Sequence, residues 1–214
     1  MPVRKISLIK DVVYHICNKS IAGFEIFNNK EDYNRMIELM SFYAAEKVPC
    51  KFSTYKASKN IKFDSSKRSV DMVAYCLMPT HIHLILKQVK DGGIKKFLGL
   101  ISQSYSQYFN SRHARKGPLW EGRFKNILIK NDEQLLHLTR YVHLNPVTSF
   151  LTNDPGDWKY SSYREYAGEI DIDKRLCSFE DILKIDKVSY KKFVSDQIDY
   201  QRQLAIIKKV VLED

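Results

Sequence analysis

The sequence predicts an α+β fold on the ferredoxin-like (βαββαβ) plan, an antiparallel sheet with helices on one face, followed by a C-terminal helical extension. Three observations carry this. Apolar residues switch between strand and helix periodicity in the order β-α-β-β-α-β. Pro79-Thr80 joins two strand-like runs so tightly that they must pair antiparallel. Composition, 44% hydrophobic and 28% charged, is that of a chain able to bury a core. The 214 residues make room for one domain with appendages or two small ones, and exclude a repeat array.

Each element has its local reason. Asp11 to Asn18 is a β-branched and aromatic run, hence a strand. Asn28 and Asn29 offer a cap to a helix from about Glu31 to Lys47, where Tyr33, Met36, Ile37, Met40 and Tyr43 recur at helical spacing. Pro49 to Ser69 is polar and lysine-rich and reads as an inserted loop or ribbon. Val70 to Met78 and His81 to Gln88 form the central hairpin. A helix runs from about Ile94 to Arg112, and Gly117-Pro118 breaks the chain before a fourth strand, Arg123 to Lys130. Asn131, with Gln134 three positions on, caps the next helix, expected to stop near Leu144 because Pro146 pushes Asn145 out of helical geometry. Phe179 to Ile185 and Tyr190 to Leu212 also read as helical. The expected division is a catalytic domain at 1–168 and a helical appendage at 169–214, the region from Ile170 on holding nine basic and nine acidic residues.

Charge narrows the function. The chain has 35 basic and 25 acidic residues, a net +10, and Lys87 to Lys130 alone carries +8 of it. Positive charge concentrated on one segment suits a polyanion, since each phosphate contact releases condensed counterions. The longest apolar run, Val73 to Met78, is six residues, far below a membrane span. Arg4, Lys5 and Lys10 interrupt the place of an export signal. Cys17, Cys50, Cys76 and Cys177 lie far apart with no Cys-x-x-Cys pair, so the expected setting is cytoplasmic, with nucleoid association when bound to DNA, and without membrane.

The chemistry centres on His81-Ile82-His83. Two residues apart on a strand, the imidazoles share a face while Ile82, Leu84 and Leu86 take the other. A strand His-x-His is half a metal site, but taken alone it is more often structural or incidental; a third donor is needed. Tyr141 and Asn145, four apart on a helix, share one face. An amide oxygen would complete a His/His/O set for a hard divalent ion such as Mg²⁺ or Mn²⁺, with a phenol one turn away. The plainer reading makes Tyr141 a core aromatic and Asn145 the helix stop before proline.

Six motifs taken in order resemble a known family. They are Tyr14-His15-Ile16, Leu77 to Leu84 (LMPTHIHL), Tyr108 to His113 (YFNSRH), Gly117 to Lys125 (GPLWEGRFK), Tyr141 to Val147 (YVHLNPV) and Trp158 to Tyr163 (WKYSSY). Together they resemble REP-associated tyrosine transposases, in the IS200-like, single-tyrosine branch of the HUH (His-hydrophobic-His) nucleases, over roughly residues 8 to 168. The resemblance implies a metal-dependent single-stranded DNA endonuclease and strand transferase acting at hairpin-forming repeats through a 5′-phosphotyrosine. His81, His83 and Asn145 would hold Mg²⁺ or Mn²⁺, and Tyr141 would be the nucleophile. Arg112, Arg115, Lys116, Arg123 and Lys125 would track phosphates, and Tyr105, Tyr108 and Trp120 are candidates to stack bases. His15 reads as a hydrogen-bonded structural histidine. The partner would be single-stranded or hairpin DNA, and the protein a monomer or homodimer. The sequence departs from the family at Asn18-Lys19-Ser20, in the Lys51 to Ser69 insertion and beyond Gly168. The competing reading is a catalytically silent, domesticated module that grips hairpin DNA or RNA.

Overall fold

Alternation along the strands decides which residues meet across the sheet. The computed structural model of the chain describes residues 8–58 and 60–212, so Arg4 and Lys5 of the expected non-signal segment lie outside it. Strands β1 (Val13–Lys19), β2 (Val70–Met78), β3 (His81–Gln88) and β4 (Lys125–Leu128) form one antiparallel sheet in the order β2-β3-β1-β4. This is the predicted ferredoxin-like order, with the two longest strands at the bounds read from sequence. Direct pairing of Tyr14 with Leu86, Ile16 with Leu84 and Asn18 with Ile82 puts one apolar row on one face. Cys17 pairs with His83 and Lys19 with His81 on the other.

The apolar row is covered by α1 (Lys30–Tyr43) and α3 (Gly93–Arg112), which pack against each other. Asn18 Nδ2 donates to Ser102 Oγ of α3 at 3.3 Å, which fixes that face as the helical one. The opposite face carries α4 (Asp132–Thr148), capped as expected by Asn131, whose side chain accepts from Gln134 N. Beyond it lie α5 (Tyr163–Tyr166), α6 (Lys187–Ser195) and α7 (Ile198–Leu212).

Five expectations are corrected. The insertion is not all loop: α2 (Phe52–Ala57) forms because Phe52, Tyr55 and Phe63 gather around Phe42, at centroid distances of 5.2, 4.7 and 5.1 Å. The preceding helix ends at Tyr43, not Lys47, because the chain turns to pair Ala45 with Arg68. Helix α4 runs through Pro146 to Thr148 instead of stopping at Leu144. Every residue from Val142 to Val147 is buried, and that packing outweighs one missing backbone bond. Phe179 to Ile185 is a turn, not a helix, since Ser178 N donates to Met72 O and Phe179 stacks on Tyr166 at 3.7 Å. The following helix is broken between α6 and α7. Tyr190 and Val194 of α6 are fully buried, so this segment shares the core. Among the described residues no helix is long and apolar enough to cross a membrane.

Candidate active site

The histidine half of the site sits on β3, held by ladders on both sides from β2 and β1. His83 is buried, and its Nδ1 shares a 3.1 Å hydrogen bond with Nε2 of His15 on β1; the two rings stack with centroids 5.3 Å apart. His81 Nδ1 shares a 3.0 Å bond with Thr80 Oγ1, and its ring meets His83 edge-on at 4.9 Å. Both Nδ1 atoms are therefore engaged, leaving each Nε2 to face a ligand. That is the anchoring a metal-binding imidazole needs, because the second nitrogen fixes tautomer and ring orientation.

Electrostatics point the same way. Burial, helped by the Lys19 ammonium, pulls His81 down to about 4. Burial together with the His81, His15 and Lys19 charges pulls His83 down to about 2. Both are neutral at physiological pH, the form in which imidazole ligates an ion.

The tyrosine half is supplied by α4. The Tyr141 ring stands edge-on to His83 at 5.6 Å and to His15 at 6.1 Å, so two segments far apart in sequence converge here. Tyr141 remains 47% exposed, open to a substrate from solvent. Burial raises its pKa, with Cys17 adding to the effect, while a hydrogen bond from the Asn145 side chain opposes it. Asn145 is buried one turn on, and its Nδ2 donates to the Tyr141 carbonyl at 2.8 Å. With its nitrogen so committed, the amide leaves its oxygen able to accept a further bond. Among the described residues no three His, Cys, Asp or Glu side chains are grouped to hold an ion.

The basic residues divide. Arg123 and Lys125 line a small cavity with Cys17 and Lys19 at the end of β1 nearest His81. Arg112 lies at the far end of α3, with Nε 3.9 Å from the buried Asp32 carboxylate. Arg115 is spent on its own loop, donating to Pro118 O at 2.7 Å and to Asn110 Oδ1 and Gly117 O at 3.2 Å, with its guanidinium over Phe24. Lys116 is exposed beside it. Of the stacking candidates, Tyr105 is fully buried and donates to Ile26 O, and Tyr108 donates to Asp32 Oδ1. Trp120 is half-buried at a cavity edge. One residue escaped sequence reasoning: Lys19 faces the histidines, a position legible once the β1–β3 register is known. His15, read as a hydrogen-bonded structural histidine, does share a hydrogen bond with His83 and also stands edge-on to Tyr141.

The class so defined is an α+β domain in which a His-x-His strand and a helix-borne tyrosine meet on one face of the sheet. Residues 51–145, a little under half of the chain, match the family described as Transposase IS200 like. A Haemophilus influenzae protein provisionally assigned as a REP-associated tyrosine transposase is 29% identical over 111 residues, 47% of this chain. The match spans 63% of that relative's length, under two thirds. The solved structure of a REP-associated tyrosine transposase bound to a REP hairpin superposes with a TM-score of 0.52 at 15% identity, covering 84% of this chain and 90% of the other. That likeness establishes the shared fold.

Proposed function

We propose that this protein is a divalent-metal-dependent single-stranded DNA endonuclease and strand transferase, acting at hairpin-forming repeats with Tyr141 as nucleophile. The observation that carries the reading is the convergence of the Tyr141 ring on His83, 5.6 Å between centroids, with both histidines anchored through Nδ1. His81 Nε2, His83 Nε2 and the Asn145 oxygen would hold Mg²⁺ or Mn²⁺. Bound there, the ion would supply Lewis-acid polarisation of a phosphoryl oxygen. Residues 1–168 would form the catalytic unit and 169–214 an appended brace.

The chain's own groups do the rest. Tyr141 arrives protonated at neutral pH, because burial holds its phenol above the ordinary tyrosine value. The Asn145 hydrogen bond favours the phenolate that attack demands. Attack forms a bond from the phenolic oxygen to phosphorus and breaks the bond to the 3′ oxygen. The phenol loses its proton, the 3′ oxygen gains one, and a 5′-phosphotyrosine remains. Since no water is consumed, a second 3′ hydroxyl can reverse the step and join strands without a nucleotide cofactor. Lys19, Arg123 and Lys125, beside the histidine face, would hold neighbouring phosphates and place the reacting one in line.

The test is a labelled hairpin oligonucleotide with a single-stranded flank, incubated with the full chain and Mn²⁺. A denaturant-resistant covalent adduct is expected. It should vanish in Tyr141→Phe and on chelation, and return when Mn²⁺ is restored. An adduct that persists in Tyr141→Phe removes this tyrosine from the chemistry.

A further inference from the structure

We propose that the cavity between α3 and the 118–124 loop is a base-binding subsite. It would take an unpaired nucleotide of the same single strand whose phosphate is presented to Tyr141, and to that extent the proposal rests on the functional reading above. The cavity measures about 460 Å³, and Asn18, Lys95, Gly99, Ser102, Trp120 and Phe124 are among its lining residues. It belongs to the helical side of the sheet. A second cavity of about 230 Å³, bearing Cys17, Lys19 and Lys125, shares Asn18, Gly122 and Arg123 with it. Cys17 and Lys19 stand on the histidine face, so the two adjoining cavities, which share a wall, mark a path round the end of β1 toward the site.

That path has the chemistry to take a single nucleic-acid strand. Lys19, Arg123 and Lys125 outnumber the one carboxylate, Glu121, along its first part and suit phosphates there, and Lys95 supplies a further cation at the pocket. Trp120 and Phe124 offer aromatic surface there, and bases of any sequence stack on such rings. The Trp120 ring is held in place by its Nε1 donating to Ser102 O at 3.1 Å. The Asn18 amide, only 5% exposed, donates to the Ser102 hydroxyl, and the capacity that pair has left over is suited to a base edge.

Gly99 is the independent observation. It lies inside α3, where glycine weakens a helix, yet a Cβ built on it meets nothing within 4 Å. Packing does not require it. Gly122, which lines the same cavity, is equally unconstrained. Bare backbone at both positions leaves room for a flat ring.

The experiment uses the full chain and a fluorescein-labelled single-stranded oligonucleotide, with a set of copies each lacking one base, read by fluorescence anisotropy. Removal of one particular base should weaken wild-type binding about ten-fold, and removal of the others far less. In Gly99→Leu, which fills that room and should melt no lower than wild type, the parent oligonucleotide should bind about ten-fold more weakly and the positional loss should disappear. For a location independent of any variant, 5-iodouracil at the sensitive position should photocrosslink to the peptide carrying Trp120 and Phe124. Firm binding with a flat scan, crosslinking only elsewhere, or an unaltered scan in Gly99→Leu each overturns the subsite while leaving the Tyr141 adduct reading intact. Absence of any single-strand affinity overturns both.

Discussion

His143 lies two residues beyond the candidate nucleophile on α4, fully buried, and its titration gives a direct reading of how that helix is held. Its Nδ1 shares a 2.6 Å hydrogen bond with Tyr190 Oη and its Nε2 a 2.7 Å bond with Ser162 Oγ. Burial pulls its pKa from the ordinary 6.5 down to about 3. As pH falls below about 6.5 the unfolded chain takes up a proton that the folded chain refuses, so stability present above that pH is lost progressively. At about pH 5 the unfolded imidazole is nearly all charged, which amounts to about 2 kcal/mol of lost stability against about pH 7.5. The measurement is urea unfolding at both pH values for wild type and His143→Gln. The substitution lowers stability at both, but the pH-dependent loss should be smaller by about 2 kcal/mol, close to 1 M in urea midpoint for a slope of about 2 kcal/mol/M. His83 is also pulled down by burial, and it contributes equally to both proteins and cancels. Equal pH losses in the two would mean that His143 does not remain neutral in the folded chain, and the buried network would have to be redrawn.

Tyr190→Phe removes the partner of His143 Nδ1 without opening a cavity, and should cost about 1–3 kcal/mol in the same assay at neutral pH, the penalty for a buried polar atom left unpaired. Lys19→Gln should reduce the slope of log affinity against log salt by about one, measured by anisotropy with a single-stranded oligonucleotide, because it deletes one phosphate contact. Arg115→Gln should leave that slope unchanged and lower stability by about 1–2 kcal/mol, since its guanidinium is bonded to Asn110, Gly117 and Pro118. Gly99→Ala should stabilise α3 by about 0.5–1 kcal/mol in urea unfolding, as the added methyl meets no neighbour.

What sequence could see was governed by range. The bounds of β2 and β3 were legible because the Pro79-Thr80 turn and period-two patterning are local, and the shared face of His81 and His83 follows from the same period. Where tertiary packing overrode local preference, the reading missed. Pro146 signals a helix stop, yet burial of Val142 to Val147 carries α4 past it. The aromatic cluster around Phe42 turns a polar insertion into α2. At Phe179 the helical spacing yields to backbone pairing with β2 through Ser178 N and Met72 O. Charge was legible in amount and less so in place. Arg112 and Arg123 are near in sequence, but α3 carries one to Asp32 while the loop returns the other to β1. Lys19 opposite His81 depends on the β1–β3 register, a long-range fact with no short-range signal.

The two halves of the candidate site are held by different physics, and that difference assigns a job to the C-terminal chain. The histidines stand on β3, paired along its length to β2 and β1, and need no further support. Tyr141 stands on a helix that lacks the Pro146 backbone donor and touches the sheet on one side only. Its outer side is clasped by later segments. Tyr190 and Ser162 grip His143, and Arg202 of α7 donates to Val147 O at 3.4 Å and to Thr152 O at 3.1 Å, placing a cation where the helix carbonyls end. Edge-on contact between the Tyr141 ring and His83 therefore depends on residues some fifty positions downstream, about as far in sequence as His143 is from Tyr190. A substitution in this clasp should move the phenol relative to the imidazoles, whereas the same loss of stability spent at the β2 edge would leave their separation unchanged.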